Sequence, residues 1–270
     1  MNEQKCLVFG QEYDADWLDS ETVTEVLEIA REKASLAAEP DIACIIDILD
    51  QVADAWANPA YHLRKKAAAI LPGLTMFSPQ MIEEGFAVIS SICRRKNVEL
   101  RLQGELGDIQ VLNEGVERPH HGYRLLARPR GVLLHLTAGN VFVGAVDSLI
   151  SGIITKNANI LKMSRVDPVF PLLFLESIKE HDPAGIIWPN QAALLWKGGD
   201  AAIENALFNA PLTIVFWGGH DALQSLKARV GMNTRLIENG PRYSFAVVEG
   251  RRIRNAISPA MIKGLALDLC

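Results

Sequence analysis

Residues 128–164 read RPRGVLLHLTAGNVFVGAVDSLISGIITKNANILKMS, and this stretch decides the fold. Residues 130–136 (RGVLLHL) are a short apolar run closed by Thr-Ala-Gly, the pattern of a strand buried on both faces. Residues 141–155 place apolar side chains at helical spacing, and residues 159–162 (NILK) return to a short strand. The segment 131–155 is long enough to span a bilayer. It holds His135, Asn140 and Asp147, however, and a carboxylate near mid-membrane is costly. A buried strand, a turn and a helix account for the same residues without that cost, so no membrane insertion is expected.

The same texture continues downstream. Helical spacing recurs over 169–180, 200–209 and 221–229. Short apolar runs occupy 186–196, 212–217 (LTIVFW), 234–237 and 245–248, and a last helix starts near Pro259. Strands alternating with helices predict an α/β fold: a Rossmann-like parallel sheet with helices on both faces, and ligands outside the carboxyl ends of its strands. This domain is expected over 126–270. Upstream, residues 1–125 read as a mostly helical region. Ile42, Ile45, Ile46, Leu49, Val52, Ala53 and Trp56 fall on one helical face. Further helices are expected over 20–38, 59–71 and 78–95, the last opened by Ser78 as N-cap with Pro79 behind it. Residues 98–103 are expected to form a connecting strand and 107–122 a loop.

The chain has 270 residues, of which 49% are hydrophobic and 22% charged, as expected of a globular protein with a core. The 27 basic and 32 acidic residues leave a net charge of −5, which gives nucleic acid or an anionic membrane no basic face to bind. Cys6, Cys44, Cys93 and Cys270 make no CxxC pair, so no zinc site is expected. His120-His121 sits in the polar loop without a nearby ligand cluster. The amino terminus, MNEQKCLVFG, lacks a secretory apolar core, and a cytoplasmic location is expected.

The chemistry must lie in the turns at the strand ends. GxGxxG is absent, and Gly139-x4-Gly144 is followed by Ala145 rather than Lys, so no P-loop is present. Thr137-Ala138-Gly139-Asn140 offers an amide to a developing oxyanion, or an ordinary N-cap. Lys162-Met163-Ser164-Arg165 offers the Lys162 ammonium to ribose or phosphate oxygens, or a solvated strand-end lysine. Phe216-Trp217-Gly218-Gly219 brings paired glycines to a helix amino end, where a pyrophosphate can reach the backbone, or where the chain simply turns. Glu238-Asn239-Gly240-Pro241 offers a general base, or an exposed turn.

Taken in order, these loops resemble the aldehyde dehydrogenase superfamily, and in detail its LuxC-like fatty acyl-CoA reductases. The resemblance is carried by residues 128–164, by LTIVFWGG at 212–219 and by IENGPRYSFAVVEG at 237–250, with weaker similarity in RLQGELGD at 101–108. It implies roles for single residues. Asn140 would serve the oxyanion, Glu238 as general base, Lys162 and Ser164 the adenosine ribose. Thr137, Gly218, Gly219 and Gly240 would line the cofactor, Gly219 standing where a hydroxyl residue is usual. Arg165 replaces the Glu that grips ribose in NAD-linked members. A guanidinium pairs with a 2′-phosphate, so NADP(H) is expected, with NAD(H) as the alternative.

The resemblance further implies an acyl-CoA or aldehyde substrate, an acyl-cysteine intermediate and a homo-oligomeric full-length enzyme. For the nucleophile, Cys270 is one candidate. GLALDLC (264–270) resembles the helix before the family's nucleophile, which would put that cysteine a few residues later and leave the C-terminal catalytic domain outside this chain. The expected function is an NADPH-dependent long-chain acyl-CoA reductase represented by its cofactor-binding part. The alternatives are a non-catalytic nucleotide-binding or assembly module, and another aldehyde or semialdehyde dehydrogenase.

Overall fold

The computed structural model describes residues 4–118, 122–138, 142–240, 245, 247, 250 and 258–267. Residues 1–240 form one compact unit and residues 241–270 a second. In the first, β1 (Lys5–Val8) and β2 (Gln11–Asp14) make a hairpin whose turn residues, Phe9 and Gly10, both have positive φ (47° and 95°). That geometry matches the right-handed twist of the paired strands. Five helices follow: α1 (Thr22–Ala38), α2 (Ile42–Ala57), α3 (His62–Leu74), α4 (Pro79–Cys93) and α5 (Arg95–Leu106). A small ribbon of β3 (Val116–Arg118) and β4 (Tyr123–Leu125) leads into the alternating part. There β5 (Val132–Leu136), α6 (Phe142–Ile154), β6 (Ala158–Lys162), α7 (Phe170–His181), β7 (Gln191–Leu194), α8 (Ala201–Phe208), β8 (Thr213–Trp217), α9 (His220–Lys227) and β9 (Arg235–Asn239) succeed one another.

Among the described residues the main sheet has seven strands in the order β2-β1-β7-β6-β5-β8-β9. The five strands from β7 to β9 are parallel, and the β1–β2 hairpin is added antiparallel at the β7 edge. The chain moves outward from β5 to β7, then returns to β8 on the other side of β5. Right-handed crossovers therefore put α6 and α7 on one face and α8 and α9 on the other. α1 joins α8 on the second face, while α2 and α4 form a further layer over α6 and α7. Strand order reverses between β5 and β8, and in open α/β sheets ligands bind at the carboxyl ends of the strands at such a switch point.

The apolar face expected of α2 is the centre of the helical layer. Ile42, Ile45, Ile46, Leu49, Val52, Ala53 and Trp56 are all buried. Trp56 packs tilted against Phe86 and edge-on to Phe170, and its Nε1 donates to Ser177 Oγ at 2.9 Å. Each such large side chain contributes about 1.5–3 kcal/mol of burial.

Residues 98–103 are not the expected strand; they lie within α5. Val98, Leu100 and Leu102 alternate as a strand would, but Leu100 is 60% exposed and only Val98 and Leu102, four apart, are buried. Gly107 ends that helix in the left-handed region (φ 74°), where glycine is unstrained. The segment expected to be a plain loop holds a 3-10 turn at Ile109–Leu112, with Val111 and Leu112 buried, and the strand β3; His120 and His121 lie outside the described residues. Of 245–248, expected as a strand, Phe245 and Val247 are described. Neither is in a strand and both are exposed, so β-propensity alone was no guide there. The second unit contains α10 (Pro259–Leu267). Among the described residues no helix is long and apolar enough to cross a membrane.

Candidate functional site

The register of the parallel strands brings the candidate residues to one edge. Leu194 of β7, Lys162 of β6, Leu136 of β5, Phe216 of β8 and Glu238 of β9 are successive partners across the sheet. Aligned partners point to the same face. Lys162 and Glu238 thus share an edge and a face, three strand spacings or about 14 Å apart. They are too distant to touch each other and can engage the two ends of one extended ligand. Thr137, half-buried, continues β5 at the same edge, and Ser164 and Arg165 follow β6. Gly218 and Gly219 follow β8, and Gly240 follows β9. Asn140 and Cys270 lie outside the described residues.

Lys162 is half-buried, with Nζ 5.0 Å above the Trp196 ring. Burial pulls its ammonium below the ordinary lysine value, partly offset by the nearby carboxylate of Glu204. Glu204 itself is buried and fully engaged, receiving Trp196 Nε1 at 3.3 Å, Gly199 N at 3.1 Å and the Arg229 guanidinium. Ser164 Oγ accepts from Val166 N at 3.1 Å, which folds the turn after β6. Arg165 is exposed and lines a 330 Å³ cavity with Lys197, Trp196 and Leu195. Asp16 and Asp200 line it too, the latter engaged as N-cap of α8 through Ala202 N and Ile203 N.

Gly219 is the N-cap of α9, and no side chain caps that helix end. An added Cβ at Gly219 would meet nothing within 4 Å, whereas one at Gly218 would come within 2.6 Å of the Phe216 ring. At Gly240 it would rest 3.5 Å from Leu223 Cδ2. The carboxylate of Glu238 pairs with Lys227 of α9, Oε2 to Nζ at 2.7 Å. To take a proton through that oxygen it must leave this pair.

These groups fit an anionic dinucleotide. Two cations, an uncapped helix amino end and open space at a glycine are what phosphates and ribose require. A further cavity of 850 Å³ lies elsewhere among the described residues. Lys5, Lys66 and Lys179 in its wall are balanced by Glu12, Glu176 and Glu180, and none of the candidate residues lines it. Of the described cysteines, Cys6 and Cys93 are buried and burial pushes both thiols up, while Cys44 is exposed on α2. A nucleophile needs a thiolate, which burial of this kind opposes. Among the described residues no group of three or more His, Cys, Asp or Glu side chains is placed to hold a metal.

Several participants escaped the sequence reading. Lys227, Trp196 and Lys197 carry no motif, and only the fold brings them to the strand ends. His135 and Asn159 did leave a signal, as polar residues inside otherwise apolar strands.

Solved structures define the class. The chain superposes on a salicylaldehyde dehydrogenase from Pseudomonas putida G7 with a TM-score of 0.67 at 16% identity, covering 88% of this chain and 48% of that one. An NADP dependent enzyme of E. coli gives 0.68 at 14% identity, covering 88% and 52%. The fold is that of the aldehyde dehydrogenases. Residues 37–270 match the acyl-CoA reductase (LuxC) family, and the chain belongs to it. A curated relative, the long-chain acyl-protein thioester reductase of Photobacterium phosphoreum, is 29% identical over 84% of this chain and 46% of its own length. The chain thus spans about half the length of the curated relatives it matches.

Proposed function

We propose that this chain forms the dinucleotide-binding part of an oxidoreductase that converts long-chain acyl thioesters to aldehydes with NADPH. The observation that carries the reading is the single sheet edge on which Lys162 and Glu238 stand in register, with the uncapped amino end of α9 lying between them in strand order. Family membership supplies the substrate class, since the curated relatives are named as acyl-protein thioester reductases.

In this reading Lys162 and Ser164 hold the ribose oxygens, and Arg165 pairs with the 2′-phosphate that a carboxylate at that position would repel. The Gly218–Gly219 turn admits the pyrophosphate to the amides of α9. A reduced nicotinamide cofactor held there would supply the hydride. Asn140 donates to the acyl carbonyl oxygen as negative charge develops on it. Glu238, released from Lys227, takes the proton of a cysteine thiol. The thiolate would attack the thioester carbonyl carbon and displace the substrate's own thiol, which leaves with the proton Glu238 had taken, giving an acyl-cysteine. The hydride such a cofactor would supply would reduce the acyl group to the aldehyde and free the cysteine thiolate. Cys6 and Cys93, buried and protonated, are not that cysteine.

The test is a titration of the chain with NADPH, followed by nicotinamide fluorescence. Lys162→Ala is expected to weaken binding at least about tenfold, equivalent to ~1.4 kcal/mol. Unaltered affinity in that variant would remove the reading.

A further inference from the structure

A chain of buried hydrogen bonds crosses the sheet on its α6 face and ends at the proposed cofactor turn. It begins at Gln191 of β7, whose Nε2 donates to Ile187 O at 3.0 Å. Gln191 Oε1 accepts from Asn159 Nδ2 at 3.0 Å, and the same amide nitrogen donates to Asn157 O at 2.8 Å. Because both partners of Nδ2 are acceptors, Asn159 Oδ1 is the atom that faces His135 Nε2, 2.9 Å away. His135 Nε2 therefore carries the proton, and Nδ1 accepts from Ser148 Oγ at 2.8 Å. Ser148 Oγ in turn accepts from Trp217 Nε1 at 3.2 Å. Backbone carbonyls anchor the chain at Ile187 and Asn157, so it can run in only one direction. Its free end is the indole of Trp217.

Gln191, Asn159, His135 and Ser148 are all buried, whereas Trp217 is 40% exposed and lines a 390 Å³ cavity with His135, Ser148, Ile237 and Asn239. Apolar side chains would fill the interior at lower cost in desolvation, so a polar chain spanning three strands and a helix calls for a use at its end. What lies at its end is the turn. Phe216 and Trp217 point to opposite faces of β8. The Phe216 ring closes over Gly218 on one side, and the Trp217 indole is tied to α6 on the other.

We propose that Ser148, His135, Asn159 and Gln191 are positioning residues that hold the Trp217 indole in one orientation and thereby preset the Gly218–Gly219 turn for the dinucleotide. The proposal rests on the reading that this turn receives the cofactor.

A double-mutant cycle of Ser148→Ala and Trp217→Phe tests it, with the NADPH dissociation constant of the full chain as readout. Each single substitution is expected to weaken NADPH binding several-fold, and the double variant no more than the weaker single. The Trp217 emission, taken as the parent spectrum minus that of Trp217→Phe, is expected to shift to longer wavelength in Ser148→Ala, measured against the double variant. Losses that multiply would mean that the two residues act independently, and unchanged binding that the chain is merely structural; either result overturns the proposal. If Ser148→Ala does not fold, Trp217→Phe decides alone, since it leaves the buried part of the chain intact. Weakened NADPH binding at the parent melting temperature supports the proposal, and unchanged binding overturns it. A parent chain that binds no NADPH overturns the cofactor reading, and this proposal with it.

Discussion

Gly218 and Gly219 are adjacent, yet the fold asks different things of them. A methyl group on Gly218 must displace the Phe216 ring, 2.6 Å from where its Cβ would stand. Gly218→Ala is expected to lower stability by about 1–3 kcal/mol, as overpacking does. A methyl group on Gly219 meets no protein atom within 4 Å, and loss of glycine at an N-cap costs up to about 1 kcal/mol. Gly219→Ala should therefore keep its fold and lose cofactor affinity instead. Urea unfolding and NADPH titration of the two variants separate the effects; equal losses of both quantities in both variants would contradict the assignment. Arg165 bears on cofactor choice in the same way. Arg165→Glu is expected to reduce the preference for NADPH over NADH at least about tenfold, ~1.4 kcal/mol, and an unchanged ratio would remove Arg165 from the 2′-phosphate.

At the scale of elements, α6 owes its close approach to the sheet to one small residue. A Cβ on Gly152 would lie 1.9 Å from Asn159 Oδ1 and 3.1 Å from His135 Nε2. Alanine favours an isolated helix by about 1 kcal/mol over glycine. Gly152→Ala is nevertheless expected to destabilise the protein, and a raised melting temperature would contradict the packing described. His135 gives the same contact a pH signature. Burial pushes its imidazole down from 6.5 to about 4. Between those values the unfolded chain takes up a proton that the native chain refuses, so stability is full above the upper value and falls as pH drops toward the lower. The loss is about 3 kcal/mol at most. Unfolding free energies at several pH values should show this slope, and His135→Asn should flatten it at lower overall stability. A slope unchanged in that variant would assign the acid sensitivity to other groups.

Which elements were legible follows from how they are buried. α2 buries one full stripe, and its spacing alone located it. α5 buries only Val98 and Leu102, and the alternation of Val98, Leu100 and Leu102 imitated a strand, because a helix with so narrow a buried stripe leaves little helical period to read. The strands from β5 to β8 are short apolar runs, and these stood out. The hairpin β1–β2 did not: β2 is mostly exposed, and nothing local in QEYD signals that β1 pairs with a strand about 185 residues away. The site was legible in the same uneven way. Lys162, Arg165, Gly218 and Glu238 stand at strand ends that the pattern locates. Lys227, Trp196 and the chain from Gln191 to Trp217 depend on which strands become neighbours, and strand order is not written locally.

Within residues 1–240, the sheet is the frame on which the described candidate residues are hung, and the hairpin closes its β7 edge. Leu195 N donates to Cys6 Sγ at 3.2 Å, and Leu7 and Val8 pair with Ala193 and Ala192. Removal of residues 1–17 is expected to expose β7 and promote self-association. Light scattering of the shortened chain checks this, and a monodisperse product of parent stability would contradict it.

The central claim is that one edge of this sheet takes a dinucleotide, and amide hydrogen exchange with and without NADPH tests it most directly. The account predicts added protection at residues 162–166 and 218–222, at the carboxyl ends of β6 and β8. Protection confined to the wall of the 850 Å³ cavity, around Lys66 and Glu176, or no protection at saturating NADPH, would contradict it.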